Sequence, residues 1–403
     1  MTRRLYYEDA YLKEFMAQVE ECRPTDGGYL IFLDATAFYP EGGGQPCDLG
    51  TLETVSGEEG GAPETKDGRI SQAARVLDVQ ETDGRVAHFT DGPLLQKTTV
   101  RGRIDWQRRL THMREHSGEH ILSGIICKTY GYSNIGFHMG REFVTVDFSG
   151  LLTQEQIGAA QRLANEKVLE DVEIKAEYPG AESLSQLEYR SKKEISGPVR
   201  IVTIPGADCC ACCGTHVKRT GEIGPIRVIG SEHYKNGIRL NVLIGEKALA
   251  DYAQKSESAA KISALLSAKP DQTAEAVEKL LEAMNALKME YGALRFRLLE
   301  EKADGVPKGQ KSCVLFEQGL SVTDARRLAD RLQEKVEFSA VFCGSDEEGY
   351  RYVILSRKGD IAAFGRAFNE ALGGRGGGKA PMIQGSVTAL RREIEAYLEK
   401  MGI

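Results

Sequence analysis

Residues 112–124 read HMREHSGEHILSG and carry three of the seven histidines in the chain of 403 residues. The surrounding pattern predicts a helix from Trp106 to about Tyr130, closed by Gly131. Residues four apart share a helix face, so this spacing aligns the imidazoles. At about 100° per residue, two histidines fall in the apolar stripe and the third turns toward its edge. The stripe holds Met113, His116, His120 and Gly124, with His112 at the edge.

The two inward histidines indicate a metal site. A neutral buried imidazole needs a hydrogen-bond partner for each ring nitrogen, which an apolar core does not supply. A second pair occurs in ADCCACCGTHV, where Cys212 and His216 are again four apart and Gly214 allows a tight turn between them. Three imidazoles and one thiolate form a tetrahedral set that suits Zn²⁺. The alternative is a group of buried thiols and core histidines.

The same helix also fits a protease pattern. H-x-x-E-H, typical of inverted zinc proteases, occurs twice, at residues 112–116 and 116–120. In such an enzyme the glutamate activates a water on the metal. The set of protein ligands is usually completed by a carboxylate or a third histidine. A cysteine–histidine pair fits that chemistry poorly, so a zinc metalloprotease is the less favoured interpretation.

The overall pattern predicts an α+β fold in four parts. Short alternating runs with glycine and aspartate turns indicate a β-barrel-like subdomain over residues 1–100, with a polar loop at SGEEGGAPETKDG. Residues 101–244 mix helices and strands and contain the predicted zinc ligands. Residues 245–305 predict a helical hairpin or coiled coil, and residues 306–403 predict a small α/β domain.

The third part contains an apolar seam. Side chains from Val277 to Leu298 keep strict 3-4 spacing over three heptads. They can pack on an upstream helix of the same chain, across Lys269-Pro270, or on the same seam of a second copy. The sequence leaves both arrangements open.

A glycine loop, GGRGGGKA, is predicted in the last part. It nearly fits the phosphate-loop pattern, but Ala380 replaces the hydroxyl that would hold magnesium. The loop also follows a helix, whereas a phosphate loop follows a strand. Nucleotide hydrolysis is therefore not expected.

The composition favours a cytoplasmic protein. Four of the nine cysteines form one cluster, which is typical of a metal site or reactive thiol in a reducing compartment. No apolar run reaches the roughly 18 residues of a membrane span, and the N-terminal segment lacks the apolar part of a signal peptide. A net charge of −7 argues against indiscriminate nucleic-acid binding but permits a local basic face. The candidates for that face are Arg101, Arg103, Arg108, Arg109, Arg190, Lys192, Lys193, Lys218, Arg219 and Arg227.

Several motifs resemble a known family. HSGEHIL followed by CCGTHV resembles the H-x-x-x-H and C-x-x-x-H zinc pair of the alanyl-tRNA editing domain, found in alanyl-tRNA synthetases and freestanding relatives. FYPEGGGQPCDLG, GFHMGREFVTVDF and GEIGPIRV fit the same domain, over about residues 5–245. GGRGGGKAPMIQGS resembles the end of the domain shared with DHH-type phosphoesterases. Together these motifs resemble the long form of the freestanding editing proteins, and the aminoacylation domain has no counterpart in the sequence.

The resemblance implies an ATP-independent hydrolase that deacylates tRNA(Ala) mischarged with serine and, as a second substrate, glycine. It assigns zinc to His116, His120, Cys212 and His216, with His112 and Cys213 as neighbours. A buried polar group that pairs with the serine hydroxyl would spare alanine, because alanine leaves that group unpaired. Thr36, Gln45 and His138 are candidates for this group, although the synthetase domains carry glutamine where His138 stands. Glu119 is a candidate general base.

Other residues are expected to hold the tRNA. Gly42, Gly43 and Gly44 would shape the pocket, and Arg375 and Lys379 would contact tRNA phosphates. The apolar seam would allow a homodimer. A non-catalytic tRNA-binding zinc protein remains a further alternative.

Overall fold

The structure is a computed structural model that describes residues 1–55, 73–191 and 197–403. The chain divides into two compact units, Met1–Ala259 and Ala260–Ile403. The predicted polar loop, together with Lys192 and Lys193, lies outside the described residues. The predicted mixture of α and β structure is confirmed.

A barrel of six strands opens the first unit. Its part of the chain contains β1 (Arg3–Arg4), α1 (Leu5–Glu8), β2 (Glu14–Thr25), β3 (Gly28–Leu33), β4 (Ala35–Thr36), β5 (Gly50–Thr54), β6 (Ala73–Thr82), β7 (Arg85–Thr90) and β8 (Thr99–Ile104). The barrel closes in the order β2-β3-β7-β6-β5-β8. Phe15, Ala17 and Val19 alternate with exposed residues on β2, so one side of the strand faces the barrel core.

The predicted histidine helix is α2 (Trp106–Tyr130), with the expected bounds. The Asp105 side chain accepts from the backbone amide of Arg108, and Gly131 closes the helix with a φ of 73°. Side chains from His112 to Ile126 are buried around almost the whole helix. Such burial of a polar sequence requires partners for the polar groups.

Two sheets and a capped helix complete this region. The elements are β9 (Asn134–Met139), β10 (Val144–Phe148), α3 (Gln154–Leu169), β11 (Lys175–Glu177), α4 (Ala181–Gln186), β12 (Ile201–Ile204), β13 (Asp208–Ala211), β14 (Ile226–Tyr234) and β15 (Gly237–Ile244). One sheet has the order β14-β15-β10-β9, and the other has the order β11-β12-β13. Thr153 and Gln156 form the capping box of α3.

A buried ion pair connects α2 with the barrel region. Arg109 and Asp48 are both fully buried, and the Arg109 Nε lies 2.9 Å from the nearer carboxylate oxygen. Its Nη2 also donates to the carbonyl of Ala37, at 2.5 Å. The prediction of Arg109 as part of a basic surface was therefore wrong, because the guanidinium is used inside the molecule.

The seam segment contains two helices, α5 (Glu246–Leu266) and α6 (Thr273–Asp304). The seam residues of α6 are 40% to 65% exposed. Heptad spacing predicts an apolar stripe on a helix but not the surface that covers it.

The second unit contains a five-stranded sheet. Its elements after α6 are β16 (Ser312–Glu317), α7 (Val322–Gln333), β17 (Phe338–Ser345), β18 (Gly349–Ser356), α8 (Ile361–Leu372), β19 (Arg375–Lys379), β20 (Met382–Val387) and α9 (Arg391–Lys400). The order is β16-β17-β18-β20-β19, and only the β16–β17 pairing is parallel. Separate apolar clusters pack on its two faces.

The predicted glycine loop is the edge strand β19. Gly376 and Gly378 pair with Gly385 and Ile383 of β20, and a Cβ at either glycine would lie within 2.3 Å of the β20 backbone. Glycine has a low strand propensity, so the local pattern indicated a loop. Among the described residues, no helix is long and apolar enough to cross a membrane.

Candidate metal centre

The four predicted ligands come together in the first unit. His116 and His120 lie one turn apart on α2, and Cys212 and His216 lie in the segment that follows β13. Their ligand atoms all lie within 4.8 Å of one another. The sequence-predicted set is therefore one cluster, and it could hold a metal ion.

The distances within the cluster fit a tetrahedral ion. The Cys212 Sγ lies 3.4 Å from His116 Nε2 and 3.5 Å from His216 Nε2. Zinc–sulfur bonds of about 2.3 Å and zinc–nitrogen bonds of about 2.0–2.1 Å at the tetrahedral angle separate sulfur and nitrogen by roughly 3.5 Å. The chain alone thus holds these atoms at the spacing that such an ion requires.

Each histidine in the cluster has a partner on its other ring nitrogen. His116 Nδ1 lies 2.9 Å from Gln45 Oε1, and His120 Nδ1 lies 2.8 Å from Asp208 Oδ2. His216 Nδ1 lies 3.1 Å from Ser117 Oγ. With Nδ1 occupied, every ring presents Nε2 as its free coordinating atom, as histidine ligands of metals require.

The electrostatics favour a thiolate at Cys212. Burial alone would raise the pKa of this thiol, but the neighbouring His116 and His120 imidazoles outweigh burial and lower the pKa well below its usual 9.0. Burial and His116 lower the pKa of His216 to about 3, which keeps this ring neutral. Thiolates and neutral imidazoles are the forms that bind metal.

His120 has the opposite tendency. Burial would lower its pKa, but the Cys212 thiolate and the Asp208 carboxylate raise it well above 6.5. A metal ion would be held by the neutral form of His120, so its binding would be coupled to proton release.

Gly214 is required for space. A Cβ at this position would lie 2.0 Å from His116 Cε1 and 2.2 Å from its Nδ1. The backbone at Gly214 has no positive φ. The predicted reason, a tight turn, was therefore incomplete: the glycine lets the second ligand segment pass directly against the His116 ring.

Gln45 contacts the metal cluster through His116. Its Oε1 accepts from the Thr215 backbone amide at 3.1 Å as well as facing His116, and its Nε2 donates to Thr215 Oγ1 at 2.8 Å. The side chain is fully buried. These contacts make Gln45 a link between the two ligand segments, and they use most of the groups that a substrate could contact.

Thr36 lies in a different polar pair. Its Oγ1 is 2.8 Å from His88 Nε2 and accepts from the Phe38 amide at 3.1 Å. His88 Nδ1 donates to the carbonyl of Ile31, at 3.0 Å, so Nε2 carries the lone pair and the Thr36 hydroxyl donates to it. Thr36 and His88 are both fully buried.

The structure does not bring His138 or Glu119 to the ligand atoms. Phe137 stacks on the His116 ring, and neighbouring side chains of a strand point to opposite faces, so His138 points away from the cluster. Glu119 is buried and accepts from Ser123 Oγ and Asn134 Nδ2.

The glycine segment packs beside the cluster. Gly42 and Gln45 form an antiparallel bridge, and Gly43 and Gly44 have φ values of 61° and 88°. A Cβ at Gly44 would lie 2.7 Å from the Phe137 ring. This turn therefore sets the position of both Gln45 and Phe137, which contact the His116 ring.

The H-x-x-E-H patterns do not form a protease site. His112 is buried and is not one of the residues whose ligand atoms come together. Its Nδ1 has no hydrogen-bond partner among the described residues. Glu115 pairs with Lys247 at 2.8 Å, and Glu119 is held as described above. Neither glutamate is free to activate a water on the metal.

Sequence reasoning missed the partners of the ligands. Asp208, Arg190, Ser117 and Thr215 surround the cluster, but no pattern singled them out for this role. Ser117 and Asp208 were recognisable only by position, next to His116 and four residues before Cys212. The pairing of Arg190 with Asp208 joins segments that the sequence does not relate.

Comparisons with known proteins follow the same division of the chain. Residues 199–241 match the family described as the threonyl and alanyl tRNA synthetase second additional domain, and residues 309–401 match the DHHA1 domain. Over 98% of its length the chain is 31% identical to an alanine–tRNA ligase of Pyrococcus abyssi, and it spans 43% of that protein. It is 28% identical, over 98% of its length, to the alanyl-tRNA editing protein Aarsd1-B of Xenopus laevis, and it spans 96% of that protein.

One solved structure matches a smaller part. The C-Ala domain of Aquifex aeolicus alanyl-tRNA synthetase matches 24% of this chain and 93% of its own length, with 22% identity and a TM-score of 0.21. The chain is a homologue of the alanyl-tRNA editing proteins, and it combines the second additional domain of threonyl and alanyl tRNA synthetases with a DHHA1 domain.

Proposed function

We propose that this protein is a trans-editing hydrolase that deacylates tRNA(Ala) mischarged with serine or glycine. The observation that carries the proposal is the convergence of His116, His120, Cys212 and His216, in a chain that aligns with almost the whole length of an alanyl-tRNA editing protein. A pocket for alanine discriminates poorly against glycine or serine, by about 1–3 kcal/mol, so a second hydrolytic site is needed.

Zn²⁺ is the ion that we propose for the cluster, because three imidazoles and a thiolate match its preferred ligands. When bound, it can organise the pocket or, with one position open, polarise the ester carbonyl as a Lewis acid. Gln45, Ser117 and Asp208 hold the three rings in the required orientation. Glu119 is less suited to general-base catalysis, since its carboxylate already binds Ser123 and Asn134.

Thr36 is our candidate for recognition of the serine hydroxyl. Because its hydrogen is donated to His88, Thr36 Oγ1 can offer a substrate only an acceptor. A serine hydroxyl can donate to this oxygen, whereas the methyl group of alanine cannot. The distinction would come from one neutral hydrogen bond, worth about 0.5–1.5 kcal/mol when made, plus the cost of leaving the group unpaired.

Residues 260–403 are proposed to supply tRNA affinity. Arg375 and Lys379 are exposed at the two ends of the edge strand β19, whose glycine backbone a phosphate chain can approach closely. An Arg375→Ala/Lys379→Ala variant should raise the KM for tRNA with little change in kcat, and it should reduce the salt dependence of binding. Arg366→Ala/Lys400→Ala, which removes two exposed cations from α8 and α9, is the matched control.

The exposed seam of α6 supports self-association through a second copy. Seven apolar side chains in 3-4 spacing, each at least 40% exposed, form the stripe that a coiled-coil partner would cover. The residues of the stripe are Val277, Leu280, Met284, Leu287, Tyr291, Leu294 and Leu298.

The direct test is deacylation by the purified zinc-loaded protein. Ser-tRNA(Ala) and Gly-tRNA(Ala) should be hydrolysed and Ala-tRNA(Ala) largely spared. The Cys212→Ala/His216→Ala variant should lose the activity. Intact Ser-tRNA(Ala) combined with tight tRNA binding would support the non-catalytic alternative, and cleavage of unfolded peptides would support the protease.

A further inference from the structure

Asp208 is the one charged partner among the three groups that hold the histidine rings. It begins β13, and its side chain is 1% exposed. Its Oδ2 lies 2.8 Å from His120 Nδ1, while Arg190 donates from Nε to Oδ1 and from Nη2 to Oδ2, both at 2.7 Å. Gln45 and Ser117, which hold the other two rings, are neutral.

The arrangement gives both oxygens of the buried Asp208 carboxylate a partner. His120 Nδ1 and the Arg190 Nη2 meet Oδ2, and the Arg190 Nε meets Oδ1. A carboxylate on Nδ1 fixes the tautomer of a metal-binding imidazole and increases the basicity of its other nitrogen. Arg190 in turn fixes the carboxylate, because a two-point guanidinium contact restricts its rotation.

The same residues allow a second interpretation. His120, Asp208 and Cys210 also lie within 4.8 Å of one another and could form a separate metal site. However, both Asp208 oxygens already accept hydrogen bonds from His120 and Arg190, so they are occupied within the protein. The geometry favours a hydrogen-bonding role for Asp208 over direct coordination.

We propose that Asp208, clamped by Arg190, is a positioning residue that directs His120 Nε2 toward the other three ligands and thereby sets the metal affinity of the cluster. The inference rests on the proposed zinc site. It adds a chain of hydrogen bonds from His120 through Asp208 to Arg190, which is partly exposed.

The test compares zinc affinity in full-length variants. Asp208→Ala should weaken zinc binding about 10–100-fold in competition with a chelator, the usual effect of losing such a partner. Asp208→Asn keeps one acceptor for His120 and should weaken binding less. The matched control is Asp147→Asn, because Asp147 forms the same two-point contact with Arg239, at 2.6 and 2.9 Å, but contacts no imidazole of the cluster. It should keep the wild-type affinity within about twofold.

Cobalt substitution gives a readout that general destabilisation does not mimic. The Asp208 variants should shift the visible ligand-field bands of the bound cobalt, whereas Asp147→Asn should leave the wild-type spectrum. If Asp208→Ala does not fold, the isosteric Asp208→Asn decides the question.

The proposal is overturned if Asp208→Asn and Asp208→Ala bind zinc and cobalt like the wild type. It is also overturned if the wild type binds two equivalents and Asp208→Ala loses one, since Asp208 would then be a ligand. A wild-type chain without any zinc affinity would instead contradict the proposed function itself.

Discussion

The first unit buries many polar side chains, whereas helix α6 of the second unit exposes apolar ones. In Met1–Ala259, histidines, carboxylates and two arginines are buried. Many of these polar residues lie on α2. On α6, leucines and a tyrosine of the seam are exposed. Buried polar groups are stable only with partners, whereas exposed apolar groups cost little until a partner covers them.

The roles of individual residues can be inferred around α2 but not on α6. Around α2 nearly every buried polar atom has a named partner, so the roles of individual residues follow from the contacts. On α6 the pattern defines an apolar surface whose residues are exposed. The two regions should therefore respond very differently to substitution.

The largest effect is expected at the buried ion pair. Arg109→Met should lower the free energy of unfolding by about 3–5 kcal/mol, because it leaves the Asp48 carboxylate buried without its charge partner. Denaturant unfolding measures the change. Arg3→Ala, which breaks an exposed pair with Glu8, should leave stability unchanged.

A double variant and a comparison of the two single variants test this prediction further. Adding Asp48→Leu to Arg109→Met should recover part of the loss, since the unpaired charge is then gone. Equal, small effects of Arg109→Met and Arg3→Ala would contradict the distinction between buried and exposed polar groups.

A second buried polar group should make stability depend on pH. Burial lowers the pKa of His88 from 6.5 to about 4. Between these values the unfolded chain binds a proton that the folded chain does not, so the contribution of His88 to stability is complete above pH 6.5 and is lost as pH falls toward 4. At 1.36 kcal/mol per pKa unit, the loss reaches about 3 kcal/mol.

The measurement is unfolding of the wild type and His88→Gln between pH 4 and 7.5. As the pH falls, the free energy of unfolding of the wild type should decrease more steeply than that of the variant, because glutamine at position 88 cannot bind a proton. Parallel curves for the two proteins would mean that His88 is not held neutral by burial.

The sequence predicted the metal cluster better than its surroundings. The i, i+4 spacing of two ligand pairs is a local property, so His116, His120, Cys212 and His216 were found without knowledge of the fold. The pairing of Gln45 with Thr215 was not predicted, because it joins segments 170 residues apart. The hydrogen bonds that link His120, Asp208 and Arg190 likewise join residues far apart in the sequence.

The fold shows the same limit. Trp106–Tyr130 was predicted from periodicity and caps, which are encoded within the helix itself. The strand at Arg375–Lys379 was missed, since glycines become a strand only when a neighbouring strand pairs with them. The sequence did not decide which surface covers the seam, because an apolar stripe on a helix does not specify its partner.

The smallest effect on stability is expected on α6. Leu287→Glu/Leu294→Glu should change the free energy of unfolding of the monomer by no more than about 0.5 kcal/mol, because both side chains are more than half exposed. In sedimentation equilibrium, the wild type should dimerise and this variant should be monomeric. Asn285→Glu/Met289→Glu adds the same charge on the opposite side of α6 and should still dimerise. A monomeric wild type would remove the proposed self-association.

Metal content is the decisive measurement for the proposed zinc site. We expect one zinc per chain in the purified protein and in His112→Ala, and none in Cys212→Ala/His216→Ala. Elemental analysis of the three proteins, after removal of loosely bound ions, measures this. Zinc retained by the double variant, or lost from His112→Ala, would contradict the assignment of His116, His120, Cys212 and His216 as the site.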